Sequence, residues 1–201
     1  MTNMMQPHKT FLIAEAGVNH NGSIDMARKL VDAAVMAGAD AVKFQSFVAS
    51  SIVTAGASKA EYQITNTGSK ESQLEMLKKL ELSHAQQREL FEYCKDKGIQ
   101  FLSTPFDSAS LNFLTVDLGL ETIKVGSGEL TNAPFLFEAT RLAKNIILST
   151  GMSTLDEVTD ALGVIAFVMT GSKNPSVSSF KSALASSEGK KAVASKVTLL
   201  H

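Results

Sequence analysis

Short apolar runs alternate with longer segments of helical periodicity along the chain, and this alternation restricts the fold more than any other feature. Each run has the length of a β-strand, and each intervening segment repeats apolar residues every three or four positions. Strands that alternate with helices form a parallel sheet with both faces covered. We therefore predict an α/β fold with strands at residues 10–14, 41–44, 100–102, 122–125, 145–148 and 197–200.

Helix-start signals separate several of these strands. Ser83 with Gln86 and Thr154 with Glu157 have the spacing of capping boxes, in which each side chain accepts a hydrogen bond from the other residue's backbone. Ser23 is a suitable N-cap for the helix that follows the first strand. Two shorter helices are predicted near residues 108–118 and 132–143.

Composition excludes several classes of protein. The chain has 201 residues, and its 19 Lys and Arg nearly balance its 20 Asp and Glu. A net charge of −1 gives no basic field for nucleic acid or an anionic membrane, so we predict neither as a partner. No stretch approaches the ~20 apolar residues of a membrane span, and the polar residues 1–10 do not resemble a signal peptide, so we expect a cytoplasmic location. Cys94 is alone, which excludes an internal disulfide and a cysteine-based zinc cluster.

Six strands leave two architectures open. An open doubly wound sheet tolerates six parallel strands, whereas a (β/α)8 barrel needs eight and typically about 250 residues. In the second case the chain would hold about six of the eight β/α units. Periodicity alone does not distinguish the two architectures.

Polar and ionisable residues stand at the C-terminal end of almost every predicted strand. Active sites of parallel α/β folds are assembled at this edge. The residues in question are Glu15, Lys43, Gln45, Thr104, Asp107, Lys124, Ser127, Glu129, Ser149 and His201.

Two of these residues, Lys43 and Lys124, lie within apolar strands. Burial of a lysine costs free energy unless its ammonium group has an anionic partner. We therefore expect Glu15 and Glu129, or an anionic ligand, to lie beside the two ammonium groups. The alternative is that each lysine lies on a solvated strand edge, but the repetition at equivalent positions argues against this for both together. Glu15 could also do no more than neutralise one lysine.

A glycine-flanked serine follows the fourth predicted strand. Ser127 lies between Gly126 and Gly128, so the backbone N–H groups of this loop can approach an anion. The alternative is an ordinary tight turn, and the loop that follows Ser149 has the same ambiguity. The chain contains no Walker A sequence and no GxGxxG, so nucleotide binding has no support.

Two polar segments interrupt the repeat. Residues 47–72 form a connection far longer than the usual ~2–6 residues of a βα loop. We expect either a mobile cover over the site or an irregular surface excursion. Residues 171–196 are rich in Ser and Lys, with Phe180 and Leu184 as the expected anchors of a helix.

Six segments carry motifs in a consistent order: AEAGVNHNG (14–22), VKFQ (42–45), STPFD (103–107), IKVGSGE (123–129), LSTGM (148–152) and VTLLH (197–201). They resemble the motifs of the sialic acid synthase family, the N-acetylneuraminate synthases. The resemblance runs from about residue 11 to residue 201 and implies a (β/α)8 TIM barrel. We therefore expect residues 1–201 to form an incomplete barrel domain of about six β/α units, without the family's small antifreeze-like C-terminal domain.

The resemblance also implies an activity. Family members condense phosphoenolpyruvate with N-acetylmannosamine or a related amino sugar, giving a sialic acid and phosphate, with a divalent metal, Mn²⁺ or Mg²⁺. Legionaminic and pseudaminic acid synthases share these motifs and are the alternatives within the family. A homodimer is implied for the full-length protein.

Carried over residue by residue, the family pattern assigns roles to the strand-end residues. Those that resemble the phosphoenolpyruvate-binding set are Lys43, Lys124, Ser127 and Ser149. Those that resemble the lining of the acceptor-sugar pocket are Gln45, Thr104 and Phe106. Those that resemble catalytic carboxylates are Glu15 and Glu129, the second as a proton-transfer group. The residue that resembles a metal ligand is His201, as the first of two histidines.

We expect other roles for two of the remaining histidines. His20, in a loop motif, is expected to support the site without binding metal, and His84 is expected on the exposed first turn of a helix. The family's second metal histidine and its last two strands would lie beyond His201, so we expect little or no synthase activity from residues 1–201 alone. A Schiff-base aldolase with Lys124 as its nucleophile, and a non-catalytic remnant that binds anions or partner chains, remain as alternatives from other classes.

Overall fold

Parallel strands alternate with helices in the structure, a computed structural model that describes residues 10–54, 57 and 72–201. This confirms the predicted α/β alternation. The strands are β1 (Ile13–Gly17), β2 (Ala41–Ser46), β3 (Gln100–Pro105), β4 (Thr122–Val125), β5 (Asn145–Ser149) and β6 (Val197–Leu200).

The predicted caps start their helices. Gln86 donates its backbone N–H to Ser83 Oγ at 3.3 Å, and Ser83 donates its own to Gln86 Oε1 at 2.9 Å. Thr154 and Glu157 form the same reciprocal pair. The helices are α1 (Ile24–Met36), α2 (Ala49–Ile52), α3 (Gln73–Leu80), α4 (His84–Asp96), α5 (Ser108–Asn112), α6 (Ala133–Leu142), α7 (Leu155–Met169), α8 (Val177–Ala185) and α9 (Ser187–Lys196).

The strands form two parallel sheets within the described residues. One has the order β1-β2-β3 and the other the order β4-β5-β6. β3 and β4 lie side by side, although no hydrogen-bonded ladder joins the two sheets. The described strands therefore form two adjacent parallel sheets and no closed barrel.

The main core lies between the outer strand faces and the helices. Val42 and Phe44 of β2 pack in it with Leu90 of α4, and Ile123 and Val125 of β4 belong to the same cluster. Residues at alternate positions point to the opposite face, so the lysines at 43 and 124 lie on the inner side of the strands. The fold thus places the apolar side chains of β2 and β4 in the core and their lysines on the opposite face of the strands.

The strand bounds correct the sequence prediction in two ways. β1 begins at Ile13 rather than at residue 10, because its ladder with β2 begins where Ile13 faces Ala41. β2 and β3 run on to Ser46 and Pro105, past the ends of their apolar runs. Ser46 and Ser103 are fully buried there, and their hydroxyl groups bond to each other at 2.6 Å.

Three helical segments also differ in detail. Residues 108–118 are not one α-helix: α5 is followed by a π-helical turn, Phe113–Asp117, in which Leu118 donates its N–H to the carbonyl of Phe113. Phe180 anchors α8 by packing edge-on against Phe167, as predicted, but α9 follows it directly. His84 is half-buried rather than exposed, because its ring stacks on Phe113 at 4.0 Å between centroids.

The connection after β2 is described only in part. It begins with α2 and ends at Ser72, the N-cap of α3. Residues 55, 56 and 58–71 lie outside the described part of the chain, so the prediction of a cover over the site falls there. In the described residues, none of the helices combines the length and the apolar character needed to cross a membrane.

Candidate functional site at the carboxyl edge of the strands

Lys43 and Glu15 form an ion pair on the inner side of the first sheet. They are register partners of the parallel β1–β2 ladder, so the backbone places them side by side. Lys43 Nζ donates to Glu15 Oε2. The lysine side chain is 11% exposed and the glutamate side chain 54% exposed, so the ammonium group is buried and its carboxylate partner reaches solvent.

Lys124 stands in the second sheet and is 8% exposed. The pKa of Lys124 is lowered to about 8, first by burial and then by the positive charge of Lys43, while the negative charge of Glu15 partly opposes both effects. The positive charge of Lys43 thus disfavours the charged form of Lys124. Among the described residues no carboxylate forms an ion pair with Lys124; of the partners proposed for the two lysines, Glu15 pairs with Lys43 and Glu129 accepts a hydrogen bond from Asn132 instead.

Gln45 and Thr104 lie one step further along the strands. They are partners in the β2–β3 ladder and share a face with Lys43. Gly17 leaves room beside them: a Cβ atom there would lie 3.3 Å from Glu15 Oε1 and 3.7 Å from Gln45 Nε2. With φ of +53°, Gly17 also adopts a conformation that side chains rarely take.

The loops after β3, β4 and β5 meet at this edge. A Cβ atom on Gly126 would lie 3.8 Å from Thr104 Cγ2 and 3.9 Å from Phe106 Cε1. A Cβ atom on Gly151 would lie 3.7 Å from Ser127 Oγ. The glycines therefore allow close approach, and Ser127 is brought against the loop that follows Ser149.

Glu129 faces a neighbouring cavity of about 570 Å³. It lies in the 3₁₀ turn after β4, and its Oε2 accepts a hydrogen bond from Asn132 Nδ2 at 2.7 Å. Phe106 lines the same cavity, so one acceptor-pocket candidate and one catalytic candidate are brought together. The other lining residues are Ser51, Ile52, Asp107, Ser108, Asn132, Pro134, Phe135 and Glu138.

Of these lining residues, sequence reasoning singled out only Phe106, Asp107 and Glu129, and it missed the polar residues Asn132 and Glu138 among others. Asn132 could have been recognised as the N-cap of α6, because its Oδ1 accepts the N–H of Phe135. Glu138 carries no such signal, since it is one polar position among several on an amphipathic helix.

His201 follows β6 and is exposed. Its Nδ1 lies 3.1 Å from Thr150 Oγ1, which connects the end of β6 to the end of β5. No group of three or more His, Cys, Asp or Glu able to hold a metal occurs among the described residues. His201 therefore stands as a single candidate ligand.

His20 is buried behind the site, with 1% of its surface exposed. Its Nδ1 accepts the N–H of Gly22 at 3.0 Å, which places the proton of the neutral ring on Nε2. Burial lowers the pKa of His20, so the neutral ring is favoured. This geometry suits a residue that shapes the β1–α1 loop, while its predicted support of the site stays a prediction.

The chain is similar to proteins that are named as sugar-acid synthases. The NeuB family matches residues 30–201. The N,N'-diacetyllegionaminic acid synthase of Campylobacter jejuni is 50% identical over 157 residues, 78% of this chain and 47% of that protein. The human N-acetylneuraminate-9-phosphate synthase is 32% identical over 158 residues, 79% of this chain and 44% of that protein.

A solved structure agrees with these relatives. The N-acetylneuraminic acid synthetase of Leptospira borgpetersenii, crystallised with citrate, superposes with a TM-score of 0.65 at 29% identity, over 79% of this chain and 50% of that one. The chain spans less than half the length of the curated relatives named above.

Proposed function

This chain belongs to the NeuB family, and on that premise we propose that it carries the phosphoenolpyruvate site of a sialic acid synthase. The proposed reaction joins phosphoenolpyruvate to N-acetylmannosamine or a related amino sugar and releases phosphate. Legionaminic acid synthesis is supported about equally, since the Campylobacter relative has that name. Pseudaminic acid synthesis is a further variant of the same reaction.

The observation that carries the proposal is the pair of buried lysines. Lys43 and Lys124 bring two positive charges into one interior, and Glu15 supplies one negative charge against them. The excess positive charge is costly until an anion enters. Phosphoenolpyruvate has a phosphate and a carboxylate on three carbons, so a single small ligand can engage both ammonium groups.

Serine hydroxyls complete the proposed anion site. Ser127 lies at the end of β4 against the loop after β5, and Ser149 is the last residue of β5. Hydroxyl donors beside two ammonium groups would orient phosphate and carboxylate and stabilise charge as it moves.

The reaction requires two bond-forming steps. Carbon C3 of phosphoenolpyruvate attacks the aldehyde carbon of the open-chain sugar, and the aldehyde oxygen takes up a proton to become a hydroxyl group. Positive charge develops at C2, where water adds and loses a proton. The tetrahedral intermediate then expels phosphate by cleavage of the C–O bond and leaves a keto group.

Two carboxylates are available for these proton transfers. We assign proton transfer near the reacting carbons to Glu129, which faces the cavity through which the sugar would enter. Glu15 is held by Lys43 and would act as the second carboxylate. Gln45, Thr104 and Phe106 would line the acceptor, with amide and hydroxyl groups for the sugar oxygens and a ring for its apolar face.

A divalent metal, Mn²⁺ or Mg²⁺, would act as a Lewis acid on the sugar aldehyde when bound. His201 would be one of its ligands. The described residues present no complete ligand set, so the further ligands would come from outside them.

Calorimetric titration with phosphoenolpyruvate tests the proposal. Wild-type chain should bind it, and Lys43→Ala and Lys124→Ala should each weaken binding by about 30-fold or more, because each removes a buried charge from the anion. Lys97→Ala, which removes an exposed lysine, is the matched control and should bind normally. Equal affinity in all four proteins would contradict the proposal.

A Schiff-base aldolase is the second candidate, and one observation favours it. The pKa of about 8 at Lys124 gives this amine an appreciable neutral fraction near neutral pH, as an amine nucleophile requires. Borohydride treatment in the presence of pyruvate would trap an adduct on Lys124 by mass spectrometry if this reading is right. Phosphoenolpyruvate binding without a trapped adduct favours the synthase.

Residues 1–201 alone should show little or no synthase activity, because the candidate metal site has one described ligand. Formation of a sialic acid by the purified chain would overturn this expectation. A homodimer is proposed for the whole protein, and light scattering of the purified protein would test it.

A further inference from the structure

Another cavity, of about 550 Å³, lies between the helices α7, α8 and α9, and its size is usual for a small-molecule site. We propose that this α7–α9 cavity binds a free amino acid with an apolar side chain, such as leucine. Its lining shares no residue with the candidate site at the strand ends. The proposal therefore stands or falls separately from the proposed function.

The charged residues of the α7–α9 cavity are sorted by sign. The acidic ones, Asp156 and Asp160, are about one turn apart on α7. The basic ones are Lys181 of α8 and Lys190 of α9. A zwitterion carries an ammonium group and a carboxylate, so a single ligand can engage the carboxylates of α7 and the ammonium groups of α8 and α9.

These four charged side chains do not neutralise one another. They line the same cavity, yet none of them forms an ion pair within the described residues. A ligand with both charges would therefore be attracted from two directions without first breaking an existing pair. Complementarity of this kind favours a zwitterion over an anion or a cation, each of which would meet repulsion from one of the two sets.

Apolar surface lies next to the acidic residues. Phe180 and Leu184 line the α7–α9 cavity. Phe180 also lines an adjoining cavity of about 230 Å³, whose other apolar residues include Leu136 and Val164. Asp160 borders both cavities. An amino acid with its ammonium group at Asp160 could therefore place an apolar side chain in the adjoining cavity, where burial of that side chain would contribute to affinity.

Close packing of the helices forms the cavity in the absence of a ligand. A Cβ atom on Gly163 of α7 would lie 3.1 Å from the carbonyl oxygen of Phe180, so the backbones of α7 and α8 are in close contact there. Ser186 ends α8 and caps α9 by accepting the N–H of Gly189 at 2.9 Å. A Cβ atom on Gly189 would lie only 2.0 Å from the carbonyl oxygen of Ala183, so this corner requires glycine. A preformed cavity of this kind reduces the entropy lost on binding.

Calorimetric titration of the chain with L-leucine tests the proposal. Leucine should bind with a dissociation constant of about 1 mM or tighter. Isocaproate lacks the ammonium group, isopentylamine lacks the carboxylate and glycine lacks the apolar side chain, so each should bind about fivefold more weakly or worse. No binding of leucine would overturn the proposal, and so would equal affinity for leucine and any of these three compounds.

Two substitutions place the bound leucine in the α7–α9 cavity. Asp160→Asn and Lys190→Met each remove one charge with little change of shape and should weaken leucine binding by about threefold or more. Glu188→Gln and Lys191→Met are the matched controls, because both residues are exposed on α9 and neither lines the cavity. Both controls should bind leucine as wild type does. Unchanged affinity in Asp160→Asn or in Lys190→Met, or equal weakening in the controls, would overturn the proposal.

Discussion

Two lysines of this chain lie in opposite electrostatic surroundings. Lys97, just after α4, contacts Asp32 of α1 at 2.7 Å and lies 5.0 Å from the ring centroid of Tyr93. The hydrogen bond to Asp32, followed by the one to Tyr93, raises the pKa of Lys97. Lys124 is buried on β4 near a second ammonium group, and burial lowers its pKa to about 8.

The difference separates a lysine in a surface ion pair from the buried lysine of the candidate site. The cluster of Lys97, Asp32 and Tyr93 joins α1 to α4 at the surface, where water already solvates the charges and a pair costs little. Lys124 has lost water without gaining an ion pair in the described residues. A group held in that state destabilises the fold and is available to a ligand, so perturbed groups of this kind point to functional sites.

The largest effect is expected from Lys124→Met, which keeps the side-chain length and removes the buried charge. We expect the free energy of unfolding to rise by about 1–4 kcal/mol, as when buried charges are replaced by apolar groups of similar volume. Urea unfolding at pH 7 measures it. Lys97→Met is the matched change at the surface and should lower the free energy of unfolding slightly. A lower free energy of unfolding in Lys124→Met as well would contradict the proposed difference between the two lysines.

The pH dependence of stability should show the same contrast. Because the pKa of Lys124 is about 8 in the folded chain and ordinarily 10.5, the unfolded state binds more protons between these values. Stability should therefore rise with pH across this window, by at most about 1.4 kcal/mol per pH unit. Phosphoenolpyruvate affinity should fall over the same range as the ammonium group loses its charge.

The difference between wild type and Lys124→Met in urea unfolding from pH 7 to pH 10.5 isolates this contribution. It should shrink as pH rises. A difference that stays constant over the window would mean that Lys124 titrates at its ordinary value.

A smaller effect is expected from Glu15→Gln. The charge of Glu15 raises the pKa of Lys124, so its removal should move the start of the pH window downward by a fraction of a pH unit. The measurement is again unfolding against pH, with Lys124→Met in the same background as reference. Glu121→Gln, which removes the exposed carboxylate partner of Lys144, should leave the window in place.

The smallest effect is expected from Asp32→Asn at the surface cluster. The hydrogen bond from Lys97 lowers the pKa of Asp32, so this carboxylate contributes stability that is present above its ordinary pKa of 3.8 and is lost as pH falls through the folded value. Wild type should therefore be slightly more stable than Asp32→Asn at pH 7, and this difference should disappear as pH falls well below 3.8. We expect phosphoenolpyruvate binding to be unchanged in this variant, which would show that the surface cluster does not contribute to the candidate site.

Periodicity was enough to find the strands and helices, but not to find where each strand ends. Ser46 and Ser103 continue β2 and β3 although they are polar, because Gln87 of α4 and the two hydroxyl groups satisfy one another in the core. A polar residue interrupts an apolar run in the sequence. It does not interrupt a strand when a residue from a distant segment of the chain supplies its hydrogen-bond partner.

The candidate site could likewise be predicted only in part. Lys43 and Lys124 could be selected in advance, since a charged residue in an apolar strand is conspicuous. The pairing of Lys43 with Glu15 and the lack of an ion pair for Lys124 in the described residues could not, because they depend on register and on how the two sheets face each other. Glu138 joins the cavity only because α6 lies across from α5.

The order of strands and helices, the caps and the identity of the strand-end residues are local properties, and the amino-acid sequence alone determines them. Tertiary structure decided which charges are paired, which are buried and which share a cavity. The reason is physical: propensity and periodicity act over a few neighbouring residues, whereas desolvation and Coulomb interaction depend on atoms that are distant in sequence and adjacent only after folding.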